Sequence, residues 1–153
     1  MFGTRPDWKD GFLFVGNEVV LDFVNTRPVQ DGQPTELLKD FGAVLRWFQA
    51  ADLLSSEQVG CLEHQWGGTT VAQKATKTLK DLRDQLREEI LAWERGRAIR
   101  RSTINELNGL MGLHLMLTRL TTSGTAYSTK LWFEVREPAD CLRHSHTARR
   151  HYW

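Results

Sequence analysis

The stretch VAQKATKTLKDLRDQLREEILAWER, residues 71–95, predicts the longest helix of the chain. Its large apolar residues recur at spacings of three and four, which places them on one helical face with charged residues between them. That face contains Leu79, Leu82, Leu86, Ile90 and Trp93. Gly96 follows and is expected to end the helix, because glycine readily adopts the left-handed backbone that closes many helices. An apolar face of this length needs partners that cover it.

Two shorter helices are predicted before this one. The first is expected to be capped by Thr35, and its apolar residues again have helical spacing. These residues are Leu38, Phe41, Leu45 and Phe48. The second begins with Ser55-x-x-Gln58, the pattern of a capping box, and is expected to end at the glycine pair of residues 67–68.

The remaining segments predict one or two further helices and a little β-structure. Ser102 is expected to cap a helix that breaks at residues 121–124 and carries a leucine face. The leucines of that face are Leu107, Leu110, Leu113 and Leu117. β-forming side chains alternate over residues 125–135, which predicts a strand. Glu137-Pro138 is expected to open a last short helix, since proline is favoured in a first turn.

The N-terminal third is less regular. Residues 12–15 are expected to form a strand or an extended segment, and residues 18–26 fit a helix, although their β-branched content leaves a strand open. Residues 27–34 contain two prolines and an Asp-Gly pair and are predicted to be a loop. The predicted fold is therefore mainly α with a small β component, a single compact domain of about four to six helices. We assign residues 1–11 to a polar lead-in, 12–143 to the helical domain and 144–153 to a basic tail.

Composition excludes several classes of protein. The chain of 153 residues is 41% hydrophobic and 25% charged, which is typical of globular domains rather than disordered ones. A net charge of +1 provides no strong overall field for nucleic acid or acidic lipid. No run reaches the roughly 18 apolar residues that a membrane span needs, and the N-terminus lacks the layout of a signal peptide. Two cysteines are too few for a disulfide scaffold, so we expect a cytoplasmic protein.

Motifs of known enzyme classes are not found in the sequence. It contains no glycine-rich phosphate loop, no serine nucleophile elbow and no HExxH. His114 lies among leucines and is expected to be a core or boundary residue rather than a catalytic base. We therefore predict no catalytic residue and no cofactor.

The first candidate site lies in the segment VVLDFVNTR, residues 19–27. Asp22, Asn25 and Thr26 are three and four positions apart, so in a helix they share one edge. A carboxylate, an amide and a hydroxyl on one edge could hold a polar ligand, and Arg27 would add a positive charge. Alternatively, Asn25 and Thr26 simply end the helix, because such side chains often bind nearby backbone groups.

The second candidate is a pair of arginines on the predicted long helix. Arg83 and Arg87 are four positions apart and face the same way, so two guanidinium groups could clamp a carboxylate or a phosphate. The alternative is a solvated helix face on which Asp84, Glu88 and Glu89 pair locally.

A metal site is the third candidate. Cys61 and His64 form a Cys-x-x-His pattern that Cys141 and His144 repeat, and four such ligands would suit tetrahedral zinc. The two pairs lie far apart in sequence and outside turn-rich knuckles, and lone intracellular cysteines are usually small buried hydrophobes. We therefore predict no metal site. The tail, with its arginines and aromatic residues, could contact nucleic acid or could simply be a disordered end.

The segment GNEVVLDFVNT, residues 16–26, resembles the opening of the ABATE domain, the N-terminal part of stress-induced transcription regulators that carry a CGNR zinc finger. The same order of segments follows. LLKDFGAVLRWFQAADLLSSEQ occupies residues 37–58, LRDQLREEI residues 82–90, and an asparagine pair lies in INELN, residues 104–108. The resemblance covers about residues 14–143.

In that family a zinc-binding module with a Cys-Gly-Asn-Arg signature usually follows. These 153 residues contain neither the signature nor its cysteines, so the chain is either a shortened piece or a natural stand-alone form. The resemblance therefore implies DNA binding only through a finger that is missing from this sequence.

What the resemblance implies for these residues is the regulatory half of a regulator, with a ligand pocket or a dimer surface. An apolar wall could come from aromatic residues, namely Phe23, Trp47, Phe48, Trp93 and Trp132. The predicted ligand-binding residues are Asp22, Asn25, Thr26, Arg27, Arg83, Arg87, Asn108 and Trp132.

We therefore expect a ligand-sensing or protein-interaction domain of a bacterial transcription regulator. Its expected partners are a small molecule of unknown identity and a second copy of the chain, and no membrane. The alternative is a stand-alone enzyme or cofactor-binding protein on the same fold. That alternative requires a buried cluster of Asp22, Asn25, Arg83 and His114.

Overall fold

The computed structural model describes residues 7–15, 18–112, 117–123, 126–132 and 135–141. Within these ranges the chain forms five helices and three two-stranded antiparallel sheets. In order, the elements are β1 (Asp7–Lys9), β2 (Phe12–Phe14), α1 (Val19–Val24), β3 (Val29–Gln30), β4 (Gln33–Pro34), α2 (Phe41–Ala50), α3 (Ser56–Trp66), α4 (Thr70–Glu94), α5 (Arg101–Gly112), β5 (Leu117–Ser123) and β6 (Ala126–Trp132). The predicted mainly α fold with a small β component is confirmed.

Two of the predicted helix boundaries are confirmed, one by hydrogen bonds and one by backbone conformation. Ser55 and Gln58 form the reciprocal capping box at the start of α3. Helix α4 ends at Glu94, and Gly96 follows with a φ of 80°, as a left-handed closing glycine should.

Two other predicted caps are wrong. Asp40, not Thr35, caps α2, because its carboxylate accepts the N–H of Ala43 at 2.7 Å. The amide of Thr35 instead donates to the carbonyl of Pro28 across a small hairpin, so the chain is still extended there. Ser102 lies inside α5 rather than before it.

Asp-Gly pairs create two short hairpins near the N-terminus. Asp10-Gly11 joins β1 to β2 and Asp31-Gly32 joins β3 to β4, and all four residues have positive φ. This geometry matches the right-handed twist of paired strands, which favours Asp-Gly turns. The hairpin of β3 and β4 replaces the loop expected over residues 27–34, and β1 lies within the segment assigned to a polar lead-in. Residues 19–24 form a helix, which decides the alternative left open there.

The core is built around α2. Seven of its ten residues are buried, and the Trp47 ring lies 5.4 Å from that of Phe23 and 5.1 Å from that of Phe48. Helices α1 and α2 pack against α4, whose central residues Leu79, Leu82 and Leu86 are buried. Trp93, predicted to share that buried face, is 63% exposed because it lies in the last turn of the helix.

The C-terminal part contains the clearest error of the sequence reasoning. Leu117, predicted on a helical face, begins strand β5, which pairs with β6 from Leu117↔Trp132 to Ser123↔Ala126. Helix α5 is described from Arg101 to Gly112, and Leu113 lies outside the described residues. The strand predicted over residues 125–135 is confirmed as β6.

The last described segment starts with a turn that one carboxylate holds, since Asp140 Oδ2 accepts the N–H groups of Arg136 and Glu137 at 2.9 and 3.1 Å. Residues 140 and 141, directly after this turn, are helical, as expected for a short helix opened by Glu137-Pro138. Within the described ranges, no helix combines the length and apolar character that crossing a membrane requires.

Candidate functional site

Arg83 of α4 is the centre of the polar network that the sequence pointed to. Its side chain is 1% exposed, and its guanidinium donates to both carboxylate oxygens of Glu36, at 2.7 and 2.8 Å. It also donates to Asp84 Oδ1 at 2.9 Å and reaches Thr26 Oγ1 at 3.4 Å. Arg83 alone therefore holds a carboxylate, that of the chain's own Glu36, whereas the predicted clamp combined Arg83 with Arg87.

Charge pairing dominates the pKa values in this network. Partial burial alone would raise the pKa of Glu36, but the Arg83 hydrogen bonds and the N–H of Leu38 outweigh it, so the pKa lies below the ordinary value of 4.5. Burial likewise opposes the charge on Arg83, yet Glu36 and Asp84 raise its pKa. Both groups are therefore ionised at neutral pH.

Arg27 and Arg87 join the same network from its edge. Arg27 Nη1 lies 2.9 Å from Asp84 Oδ2, so Asp84 bridges Arg27 and Arg83. Arg87 donates to the backbone carbonyl of Arg27 at 2.7 Å. Thr26 donates its hydroxyl to the carbonyl of Phe23 just after α1, the helix-ending role weighed above. Four of the predicted residues, at positions 26, 27, 83 and 87, are thus brought together.

Beside this network, a shallow groove of about 340 Å³ separates α1 from the last turns of α4. We call it the Arg87 groove. Apolar residues form most of its lining, and Asn25, Arg87 and Glu94 provide the polar groups. The apolar lining residues are Val15, Leu21, Val24, Ile90 and Leu91. Asn25 and Arg87, both predicted as ligand-binding residues, therefore share one surface depression.

The other predicted site residues lie away from this network or in parts of the chain that the structure does not describe. Asp22 is buried, and its Oδ1 accepts the N–H of Val15 at 2.8 Å, whereas Arg83 uses its donors on Glu36 and Asp84. Asn108 is exposed on α5. The Trp132 side chain and His114 lie outside the described residues. Asp22 and Arg83 thus form no shared cluster of the kind that the enzyme alternative needs.

The expected aromatic wall is mostly core. Phe23, Trp47 and Phe48 are completely buried and do not line the Arg87 groove, and Trp93 is exposed.

The candidate zinc ligands differ in their exposure to solvent. Cys61 and His64 are exposed on α3, Cys141 is buried, and His144 lies outside the description. The described residues contain no group of three or more side chains that could hold a metal ion. Burial and the neighbouring Asp140 raise the pKa of the Cys141 thiol to about 12.

Of the acidic residues, Glu36 was not recognised from the sequence as a part of this site, and Asp84 and Glu89 were considered only as local pairs on the helix face. Glu36 and Asp84 neutralise Arg83 and Arg27, and Glu89, which is buried, binds Arg100 and the hydroxyl of Thr103. Glu36 lies 47 positions before Arg83, and no local spacing signals a pair at that separation. Glu89 pairs across to the start of α5 rather than along its own helix.

Comparison with known proteins identifies the family of this chain. The ABATE family model, described as "Putative stress-induced transcription regulator", matches residues 17–148. No curated protein and no solved structure matches the chain. The matched range includes all five described helices, the LDFVNT segment and every member of the Arg83 network. This chain therefore belongs to the ABATE family.

Proposed function

We propose that this chain is the ligand-sensing domain of a transcription regulator. Its ligand would be a small molecule with an apolar body and one anionic group, bound in the Arg87 groove. The family description supports the regulatory role. The observation that carries the ligand class is the presence of Arg87 in the lining of a mainly apolar groove, to which Glu94 contributes the one carboxylate among the described lining residues.

The lining of the groove suits such a ligand. Val15, Leu21 and Leu91 are each about 40% exposed, so apolar surface remains that a bound molecule would remove from water. Arg87 uses Nη1 on the carbonyl of Arg27, and a guanidinium has five N–H donors, so several remain for an anion. The amide of Asn25 adds a neutral hydrogen-bonding group beside it.

The position of Arg87 also supports a sensing role. The same guanidinium contacts the groove and holds the backbone at Arg27, which leads into the hairpin of β3 and β4. An anion that draws the Arg87 side chain further into the groove would weaken its hydrogen bond to that carbonyl. Ligand binding would then loosen the contact between Arg87 and the start of the hairpin. The ligand would therefore favour one of two chain conformations, with or without this hydrogen bond.

Octanoate is a suitable probe, with 1-octanol as its neutral counterpart. We expect octanoate to raise the melting temperature, and Arg87→Gln to weaken octanoate binding about tenfold by calorimetry, because a charge-assisted pair is lost. Arg46→Gln is the matched control, since Arg46 is exposed on α2 outside the groove. Equal octanoate affinity in the Arg87→Gln and wild-type proteins, or no binding of any carboxylate in a panel, would contradict the proposal.

Self-association is the second candidate function, and exposed apolar residues favour it. Trp93 is 63% exposed, and three more apolar residues are each more than 40% exposed: Leu91 of α4, Ile99 of the segment that follows, and Ile104 of α5. With a net charge of only +1, two copies would repel each other weakly. Size-exclusion chromatography with light scattering should show a dimer that Trp93→Lys dissociates. A wild-type monomer at high concentration would remove this candidate.

A further inference from the structure

We propose that a second groove, on the opposite flank of α1, binds a small organic cation, with Asp22 as its counter-charge. This Asp22 groove has a volume of about 430 Å³ and lies between β1–β2, α1 and the end of α2. It shares no lining residue with the Arg87 groove. The inference goes beyond the proposed function and does not depend on it.

Asp22 has the features of an unfinished ion pair. The residue is only 6% exposed, so few water molecules can solvate its carboxylate. Its Oδ1 accepts the N–H of Val15 at 2.8 Å. Its Oδ2 makes no hydrogen bond to any residue in the described part of the chain, although each carboxylate oxygen can accept two. A charged donor in the groove would complete the set.

The other charges in the groove leave its net charge negative. Lys9 is paired with Asp52, with its Nζ 3.2 and 3.3 Å from the two carboxylate oxygens. This ion pair is exposed to solvent at the rim of the groove, and its two opposite charges cancel. The charge of Asp22 therefore remains to be balanced, and it attracts a cation while disfavouring the carboxylates proposed for the Arg87 groove.

The rest of the lining is apolar and partly aromatic. Trp8 and Phe14 line the groove together with Val19, and Trp8 is 55% exposed. Aromatic rings attract ammonium groups, and aliphatic side chains accept an apolar body. The ligand class that fits is an amine with a hydrophobic substituent.

The wild-type protein provides the first test, with 2-phenylethylamine and its neutral analogue 2-phenylethanol as probes. In an NMR titration of ¹⁵N-labelled protein, the amine should shift the amides of Val15, Val19 and Ala51. The alcohol should bind about tenfold more weakly, because only a charged donor completes the Asp22 pair. Equal affinity for the two probes, shifts confined to other residues, or no amine binding at millimolar concentration would overturn the inference.

Substitution provides the second test. Asp22→Asn removes the charge but keeps an oxygen for the Val15 N–H, so the amine affinity should fall to that of the alcohol. Asp10→Asn is the matched control: it makes the same chemical change in the turn between β1 and β2, outside the groove, and should leave amine affinity within about twofold. Arg87→Gln should not alter amine binding, so failure here and failure of the octanoate proposal are distinguishable. If Asp22→Asn does not fold, the comparison of amine with alcohol still decides.

Discussion

The guanidinium of Arg83 lies against the carboxylate of Glu36 in a two-point ion pair, with N–O distances of 2.7 and 2.8 Å. Glu36 lies in the segment between β4 and α2, whereas Arg83 lies in the middle of α4. The pair therefore ties the N-terminal segments to the longest helix. Asp84 extends the tie to Arg27, and Arg87 holds the Arg27 carbonyl, so the network also supports one side of the Arg87 groove.

Glu36→Gln should destabilise the protein by about 2 kcal/mol. Removing one partner leaves the buried Arg83 charge only partly compensated, since Asp84 remains. Urea denaturation at neutral pH measures the change. Asp81→Asn, which breaks the exposed Lys77–Asp81 pair, is the control and should cost less than about 0.5 kcal/mol. Similar losses in the two variants would show that the Arg83 network contributes no more than a surface pair.

Stability should fall in acid because two glutamates have lowered pKa values in the folded chain. Hydrogen bonds from Arg100 lower the pKa of Glu89, and the Arg83 pair outweighs burial at Glu36. Both contributions are fully present above the ordinary value of 4.5 and are lost as the pH falls through the lower folded values. Unfolding midpoints measured from about pH 7 to about pH 3 test this. The Glu36→Gln variant should lose less stability over that range, and a parallel loss would argue against Glu36 as a source.

The two cysteines should differ sharply in reactivity towards a thiol reagent. Cys61 is exposed, whereas Cys141 is 2% exposed and burial helps to raise its pKa to about 12. Because the thiolate is the reactive form, Cys141 should react at neutral pH only after denaturation. Titration with Ellman's reagent should find one fast thiol in the native protein and two in urea. In Cys61→Ser the fast reaction should disappear, and a persisting fast thiol would mean that Cys141 is accessible.

Leu86→Ala and Trp93→Ala should differ sharply in their effect on the free energy of unfolding, although sequence periodicity places both residues on one helical face. Leu86 is 6% exposed, so its truncation leaves a cavity and should cost about 2 to 4 kcal/mol. Trp93 is 63% exposed, and its truncation should cost less than about 1 kcal/mol. The two variants are compared by denaturation at a protein concentration low enough for any dimer to dissociate. A larger loss for Trp93→Ala would mean that Trp93 is covered in solution.

Local signals in the sequence predicted the helices well where a short-range interaction decides the structure. The capping box of Ser55 and Gln58 and the closing Gly96 involve neighbours a few residues apart, so their pattern can be read directly. Periodicity likewise identified α4 and its buried leucines. It failed at Trp93 and at Leu117, because a repeat of apolar residues does not state where the covering elements end or where a helix gives way to a strand.

The candidate site, too, was predictable only where neighbouring residues decide the structure. The sequence by itself determined which residue types are available: an LDFVNT segment with a carboxylate and an amide, and two arginines one turn apart on a long helix. Only the tertiary structure decided their partners, because Arg83 is paired with a glutamate 47 positions away and Asp22 faces a different groove from Arg87. Charges distant in sequence are brought together when α1 and α2 bury their apolar faces against α4. Packing decides which charges pair, because a charge removed from water is stabilised only by an opposite charge that the packing places near it.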